Sequence, residues 1–267
     1  MTRVTVIGAA GRMGCALIRA AADFPDIGIC GAVASANSAA LGQDAGELAG
    51  SGRIDVTVSS NLADAVGNAD VVVDFSSTQA THENLAACVA ARKPLLIGTT
   101  GFGSELEAQF AVAARDIALL VAPNTSLGVT ALIELVRAAA RALPADFDIE
   151  IIEAHHRMKR DAPSGTALAL GRAAAQGRQQ DFERTAAMSR TGLAGRKAGE
   201  IGFAAVRGGD IVGEHSVLFA GTGERISLTH QASDRAIFAR GALKAALWLA
   251  PQPPGRFFMR DIVSYKS

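Results

Sequence analysis

Between residues 4 and 122 the chain alternates short β-rich runs with alanine-rich helical stretches, and that rhythm leaves few folds open. Strand-like runs fall at residues 4–7, 27–34, 69–75, 94–97 and 117–122. Helical patterns fall at 12–22, 81–91 and 104–115, the last opened by a capping box of Ser104 and Glu107. Residues 69–75 read ADVVVDF, a continuous apolar run of the kind buried on both faces of a sheet. Strands alternating with helices imply a doubly wound parallel α/β sheet of Rossmann type. With 49% hydrophobic residues the chain has the material for a substantial core.

The rhythm changes after Asn124. Residues 130–143 read as a long helix and 147–154 as a strand of mixed polarity. Further strands are expected at 201–206, 214–219 and 224–229, separated by glycine-rich turns, and an alanine-rich helix at 235–249. The expectation is a second, smaller α+β domain built on a mixed sheet with antiparallel pairs. Residues 1–126 form the dinucleotide-binding domain and 127–235 the second domain. A C-terminal helix over about 236–267 packs back on the first.

Gly8-Ala9-Ala10-Gly11-Arg12-Met13-Gly14 follows a strand and opens a helix, the position where a pyrophosphate rests on helix N-terminal N–H groups. The spacing is G-x-x-G-x-x-G, with Ala10 in the usual place of the middle glycine, and alone it would also fit a tight turn without a ligand. The end of the second strand, Gly31-Ala32-Val33-Ala34-Ser35-Ala36-Asn37, carries no carboxylate. Nothing there would repel a ribose 2′-phosphate, and Arg12 is within reach of one. The pattern therefore leans toward NADPH with NADH still open. Two more loops follow strand C-termini: Gly98-Thr99-Thr100-Gly101-Phe102 and Ala122-Pro123-Asn124-Thr125. Their small and hydroxyl residues suit a backbone passing close to a nicotinamide ribose.

His155, His156, Arg157, Lys159 and Arg160 place five basic groups in six positions directly after a strand. Pro163-Ser164-Gly165-Thr166 then opens an Ala/Leu helix. Cations beside a helix N-terminus suit a small dicarboxylate. A basic run is more often a solvated face, and it is the coincidence of both features within a dozen residues that favours a site. His82, His155, His156, His215 and His230 show no metal-ligand spacing, and no metal is expected.

Lys+Arg and Asp+Glu both total 26, so no global field favours nucleic acid or an anionic membrane. No apolar run approaches the roughly 18 residues of a membrane span. Cys15, Cys30 and Cys88 form no C-x-x-C, and the start, MTRVTVIG, enters a strand at once and leaves no room for a signal peptide; a cytoplasmic setting is expected.

The segment Glu153-Ala154-His155-His156-Arg157-Met158-Lys159-Arg160-Asp161-Ala162-Pro163-Ser164-Gly165-Thr166-Ala167 resembles the signature of the dihydrodipicolinate reductase family. Gly8 to Gly14 is similar to that family's cofactor loop. Asp44-Ala45-Gly46-Glu47-Leu48, Asp74-Phe75, Gly98 to Phe102 and Gly209-Asp210-Ile211-Val212-Gly213-Glu214-His215 extend the likeness over essentially the whole chain. The resemblance implies a homotetramer whose C-terminal domain binds the substrate and mediates oligomerisation, and which uses NAD(P)H to reduce 4-hydroxy-tetrahydrodipicolinate to tetrahydrodipicolinate with loss of water. It implies His155 as proton donor/acceptor, Lys159 as second proton donor, and His156, Gly165 and Thr166 as substrate contacts. Cofactor contacts would be Gly8, Ala9, Ala10, Gly11, Arg12 and Met13, Gly98, Thr99 and Thr100, and Ala122, Pro123, Asn124 and Thr125. Many members carry Glu-Arg after the second strand, where this chain has Ala34-Ser35, so cofactor preference does not carry over. Two other readings stay open: an aspartate-semialdehyde dehydrogenase, which needs a thiolate in the catalytic domain, and a non-enzymatic NAD(P) sensor.

Overall fold

The computed structural model describes residues 1–263, which divide into two compact units, Leu127–Arg235 and the remainder. The first unit begins β1 (Thr2–Ile7), α1 (Arg12–Ala21), β2 (Ile27–Val33), α2 (Ala45–Ala49), β3 (Val58–Ser59) and α3 (Leu62–Gly67). It continues with β4 (Val71–Asp74), α4 (Thr78–Ala90), β5 (Leu95–Ile97), α5 (Ser104–Ala113) and β6 (Ala118–Val121). The second unit holds α6 (Leu127–Ala142), β7 (Asp148–His155), α7 (Gly165–Gly177), α8 (Phe182–Thr185), β8 (Ala186–Ala187), β9 (Ile201–Arg207), β10 (Gly213–Gly221) and β11 (Glu224–Ala232). The chain then returns to the first unit with α9 (Ala236–Leu249), β12 (Gly255–Phe257) and α10 (Met259–Ile262).

The first sheet has the order β12-β6-β5-β4-β1-β2-β3, and each neighbouring pair is parallel. Its order reverses beside β1, the switch point of a doubly wound sheet. Val71, Val72 and Val73 are fully buried, as expected of a strand covered on both faces. The second sheet has the order β11-β10-β7-β9-β8 and is mixed: β10 runs antiparallel to β7 and β11, whereas β7, β9 and β8 run parallel. On one face Ile149, Ile151, Phe203, Val217 and Phe219 pack with Val136, Leu170 and Ala174 of α6 and α7. No helix among the described residues is long and apolar enough to cross a membrane.

Three local expectations change. The capping box at Ser104 and Glu107 does not form: Gly103 caps α5 without a side-chain bond, and Ser104 is already helical. α4 starts at Thr78, because Ser77 accepts the Ala80 N–H, a polar signal that apolar periodicity does not register. The helix expected over 236–267 ends at Leu249, where Pro251, Pro253 and Pro254 cannot continue it. The chain then adds β12 to the sheet edge; residues 264–267 of that expectation lie outside the described residues.

Candidate functional site

β1, β4, β5 and β6 end level with one another, since Ile7 pairs with Asp74, Asp74 with Ile97 and Ile97 with Val121. Gly8, Phe75, Gly98 and Ala122 therefore begin four loops along one carboxyl edge, where such sheets take their ligands. At Gly8 the chain turns into α1 with φ +79°, and a Cβ there would lie 2.6 Å from the Phe75 carbonyl oxygen. Gly14 lets α1 close onto the turn: its Cβ would fall 2.2 Å from the Gly8 carbonyl oxygen. Gly11 caps the helix without a side-chain bond, so no side chain competes for its first N–H groups.

A cavity of about 650 Å³ runs from this turn past the end of β2, with Gly8, Ala10, Gly11, Ser35, Ser76 and Asn84 among its walls. Ala9 faces the core instead, and its N–H donates to the Val33 carbonyl at 2.9 Å. Arg12 is exposed and Met13 half-buried at the start of α1. Gly98 lies against the Phe75 ring, and the Thr99 hydroxyl is buried with no hydrogen-bond partner. The Thr100 carbonyl accepts the Thr78 hydroxyl at 3.0 Å. Ala122 is buried, Pro123 exposed, and Asn124 Oδ1 accepts the Ser126 N–H at 2.8 Å. Thr125 is built into the fold, its hydroxyl donating to the Phe238 carbonyl at 2.7 Å. The orphaned Thr99 hydroxyl, the cradle at Gly8 and the uncapped start of α1 fit a nicotinamide dinucleotide.

Behind this edge lies a carboxyl whose burial the motif does not reveal. Asp74 is fully buried, with Asn84 Nδ2 donating to Oδ2 at 2.9 Å and the Ser76 N–H to Oδ1 at 2.8 Å. Burial pushes Asp74 upward against those bonds.

In the second unit the alternation of β7 carries Ile149, Ile151, Glu153 and His155 inward on one face. Glu153 is 1% exposed, and its Oε2 lies 2.6 Å from His155 Nδ1. Arg207, at the end of β9, grips both carboxylate oxygens at 2.7 Å, and the Ser164 N–H donates to Oε1 at 3.1 Å. Burial pushes Glu153 up, but Arg207, His155 and Ser164 together hold it below the usual carboxylate range. Burial lowers His155 and outweighs the upward pull of Glu153, with the charges of Lys159 and Arg207 helping. The His215 ring meets the His155 ring edge-on at 5.1 Å, and burial above all takes His215 down to about 4.

Lys159 Nζ pairs with Asp161 at 2.9 Å, with the lysine side chain 21% exposed. Ser164 caps α7 by accepting the Ala167 N–H at 3.1 Å, and its oxygen lies 2.9 Å from His215 Nε2. Gly165 and Thr166 form the first helical positions, where the positive end of the dipole favours an anion. His156 and Arg157 line a shallow depression of about 510 Å³ with Gly209, Asp210 and Arg235. His155, Arg207 and the Ser164 N–H thus meet at Glu153, with Lys159 near enough for its charge to act on His155. Arg207 had no signal in the sequence, being 54 residues from Glu153. Among the described residues no group of three or more metal-ligating side chains converges.

Comparison with known proteins covers both units. Residues 2–125 match the family model described as dihydrodipicolinate reductase, N-terminus, and residues 128–263 the model for its C-terminus. A 4-hydroxy-tetrahydrodipicolinate reductase of Anaeromyxobacter dehalogenans is 47% identical over 267 residues, 100% of this chain and 99% of that protein. A relative named 4-hydroxy-tetrahydrodipicolinate reductase 1, from Mesorhizobium japonicum, is 52% identical over 97% of this chain and 96% of its own. In fold, the chain resembles a dipicolinate-bound dihydrodipicolinate reductase from Paenisporosarcina sp. TG-14, with a TM-score of 0.78 at 24% identity over 97% of both chains. With both halves matched and the relatives similar from end to end, this chain belongs to the dihydrodipicolinate reductase family.

Proposed function

We propose that this chain reduces 4-hydroxy-2,3,4,5-tetrahydrodipicolinate to 2,3,4,5-tetrahydrodipicolinate, with loss of water, as a step of the diaminopimelate route to lysine. The observation that carries the reading is the buried Glu153–His155 pair beside Lys159 and the N-terminus of α7, within the segment that bears the family resemblance. The nicotinamide supplies a hydride when bound; Gly8, Ala10, Gly11, the start of α1 and the loops at Thr99 and Asn124 would hold the dinucleotide. In the second unit, His156 and the Gly165-Thr166 turn bind the substrate carboxylates, and the helix dipole favours their charge. Lys159 donates a proton to the carbanion-like centre that reduction creates. His155, as proton donor/acceptor, takes up the substrate's ring C–H proton lost on dehydration and returns it to the departing hydroxyl, which leaves as water.

Ala34 and Ser35 stand where an acidic residue would reject a 2′-phosphate, and Ser38 and Ser60 add hydroxyls to the same wall. These support use of NADPH, with NADH also accepted. The reading extends to a cytoplasmic homotetramer, supported by two exposed apolar side chains on the second sheet, Ile152 at 42% and Val206 at 48%.

A thiolate-dependent dehydrogenase is disfavoured, because the second unit contains no cysteine and burial pushes the Cys88 thiol further from ionisation. A nucleotide sensor is separated by turnover. Supplied with 4-hydroxy-2,3,4,5-tetrahydrodipicolinate, the protein should oxidise NADPH, whereas binding without oxidation would favour a sensor. Lys159→Ala should lower kcat by about 10²–10⁴-fold with cofactor affinity intact; an unchanged kcat would remove Lys159 from its role.

A further inference from the structure

His155 has two ring nitrogens, and only one can face a substrate. The surrounding groups decide which. Glu153 precedes it by two positions on β7, so the pleat puts both on one face, and Oε2 lies 2.6 Å from Nδ1. Arg207 stands opposite His155 in the β7–β9 register. It donates from Nη1 to Oε2 and from Nη2 to Oε1, both at 2.7 Å, and from Nη2 to the Asp161 carbonyl at 2.7 Å. The Ser164 N–H adds a bond to Oε1 at 3.1 Å. The guanidinium charge gripping both oxygens favours the carboxylate over the acid, and a carboxylate accepts all of these bonds. With Glu153 an acceptor only, the proton between it and His155 belongs to Nδ1, and the lone pair to Nε2. Nε2 faces Gly213, where an added Cβ would lie 3.1 Å away.

We infer that Arg207 is a positioning residue: by fixing Glu153 as a carboxylate it holds His155 in its Nδ1–H form and makes Nε2 the nitrogen that exchanges protons with the substrate. Its catalytic consequence rests on the proposed reaction; the tautomer does not. The charged and titratable groups facing His155 are Glu153 on its own strand, Arg207 from β9, His215 from β10, and Lys159, paired with Asp161, from the loop beyond β7. His215 is neutral near pH 7 and adds no charge there. Without Arg207, burial dominates at Glu153 and its carboxyl takes a proton at higher pH. As an acid it donates to Nδ1, and the imidazole proton moves to Nε2.

Nitrogen-15 NMR of the histidine ring reads this directly. The wild-type protein should show His155 protonated at Nδ1 and unprotonated at Nε2 near neutral pH; an Nε2–H form there overturns the inference before any variant is made. Arg207→Met and, independently, Glu153→Gln should shift the signal toward Nε2–H. In Arg207→Met the acid limb of the kcat profile should also move to higher pH, with kcat lower by roughly 10²-fold. Arg207→Lys keeps the charge without the two-pronged grip and should retain Nδ1–H and recover part of the activity. A folded Arg207→Met or Glu153→Gln protein with the wild-type signature refutes the inference. So does an Arg207→Lys protein as inactive as Arg207→Met. If wild-type protein shows the expected tautomer but oxidises no NADPH with the proposed substrate, the reaction is wrong and the positioning stands.

Discussion

Two helical glycines make opposite demands on the same residue type. Replacing glycine by alanine inside a helix ordinarily gains up to about 1 kcal/mol. At Gly67, in α3, nothing lies within 4 Å of the added Cβ, and Gly67→Ala should stabilise by a fraction of that. At Gly14 the added Cβ falls 2.2 Å from the Gly8 oxygen and 2.6 Å from the Ala9 Cα, both backbone atoms that cannot swing aside. Overlap outweighs propensity there. Gly14→Ala should cost about 1–3 kcal/mol and weaken cofactor binding by displacing the turn. Denaturant unfolding and cofactor titration of the two variants give the comparison, and a Gly14→Ala protein that behaves like Gly67→Ala would show that the turn has room to yield. The Gly8–Gly14 turn was readable because a strand, a turn and a helix meet within seven positions. Ala9 and Thr125 were assigned to the cofactor by motif alone, and motif cannot say which way a side chain points; the one is packed in the core and the other bonds Phe238. Arg207 was unreadable for a different reason: its meaning comes from pairing with β7, a contact that sequence spacing does not encode.

At the scale of elements, β7 shows how a core and a site are made continuous. Its inward row begins with Ile149 and Ile151, fully buried against α6 and α7, and ends with Glu153 and His155. A cavity at Ile151 therefore opens one pleat from the Glu153–Arg207 pair. Ile151→Val should cost about 0.5–1.5 kcal/mol and Ile151→Ala about 2–5 kcal/mol. Because the carboxylate grip depends on β7 and β9 staying in register, Ile151→Ala should also reduce kcat more than it changes cofactor affinity. Chemical unfolding alongside steady-state kinetics tests both parts, and full activity in a destabilised Ile151→Ala protein would uncouple core from site. Most strands of both sheets were legible from alternation and apolar runs, since those patterns report burial directly, whereas the short strands β3, β8 and β12 were not. Helix starts were less so. Ser77 caps α4 where periodicity sees nothing, whereas Ser104 and Glu107 have the spacing of a capping box without forming one, because Gly103 already holds the capping geometry. β3, α2 and α3 are too short to generate a period. α2 depends instead on Asp44, whose carboxylate accepts the N–H groups of Gly46, Glu47, Ile54 and Val56.

At the scale of the molecule, the two faces of the second sheet are unequal. One is covered by α6 and α7. The other carries Ile152 beside Ala204 and Val206 beside Ala154, with Glu150 two residues before Ile152 tied to Arg190 and Arg196. An apolar stretch beside satisfied ion pairs is a surface that gains by being covered, and burial of apolar area is worth roughly 25 cal/mol per Å². A second copy of the same sheet is the occupant that fits the proposed tetramer, and β11 at the sheet edge would be shielded with it. Exchanging Ile152 and Val206 for glutamate would bring like charges together across such an interface and leave them unpaired. Neither side chain belongs to the inward core, so each subunit should keep its secondary structure while the assembly dissociates. Sedimentation of the wild-type chain should give a tetramer and that of the Ile152→Glu/Val206→Glu protein a smaller species, with circular dichroism unchanged. A wild-type chain that sediments as a monomer, or a double variant that remains a tetramer, would place the assembly surface elsewhere and leave the apolar stretch on β7 and β9 without an occupant.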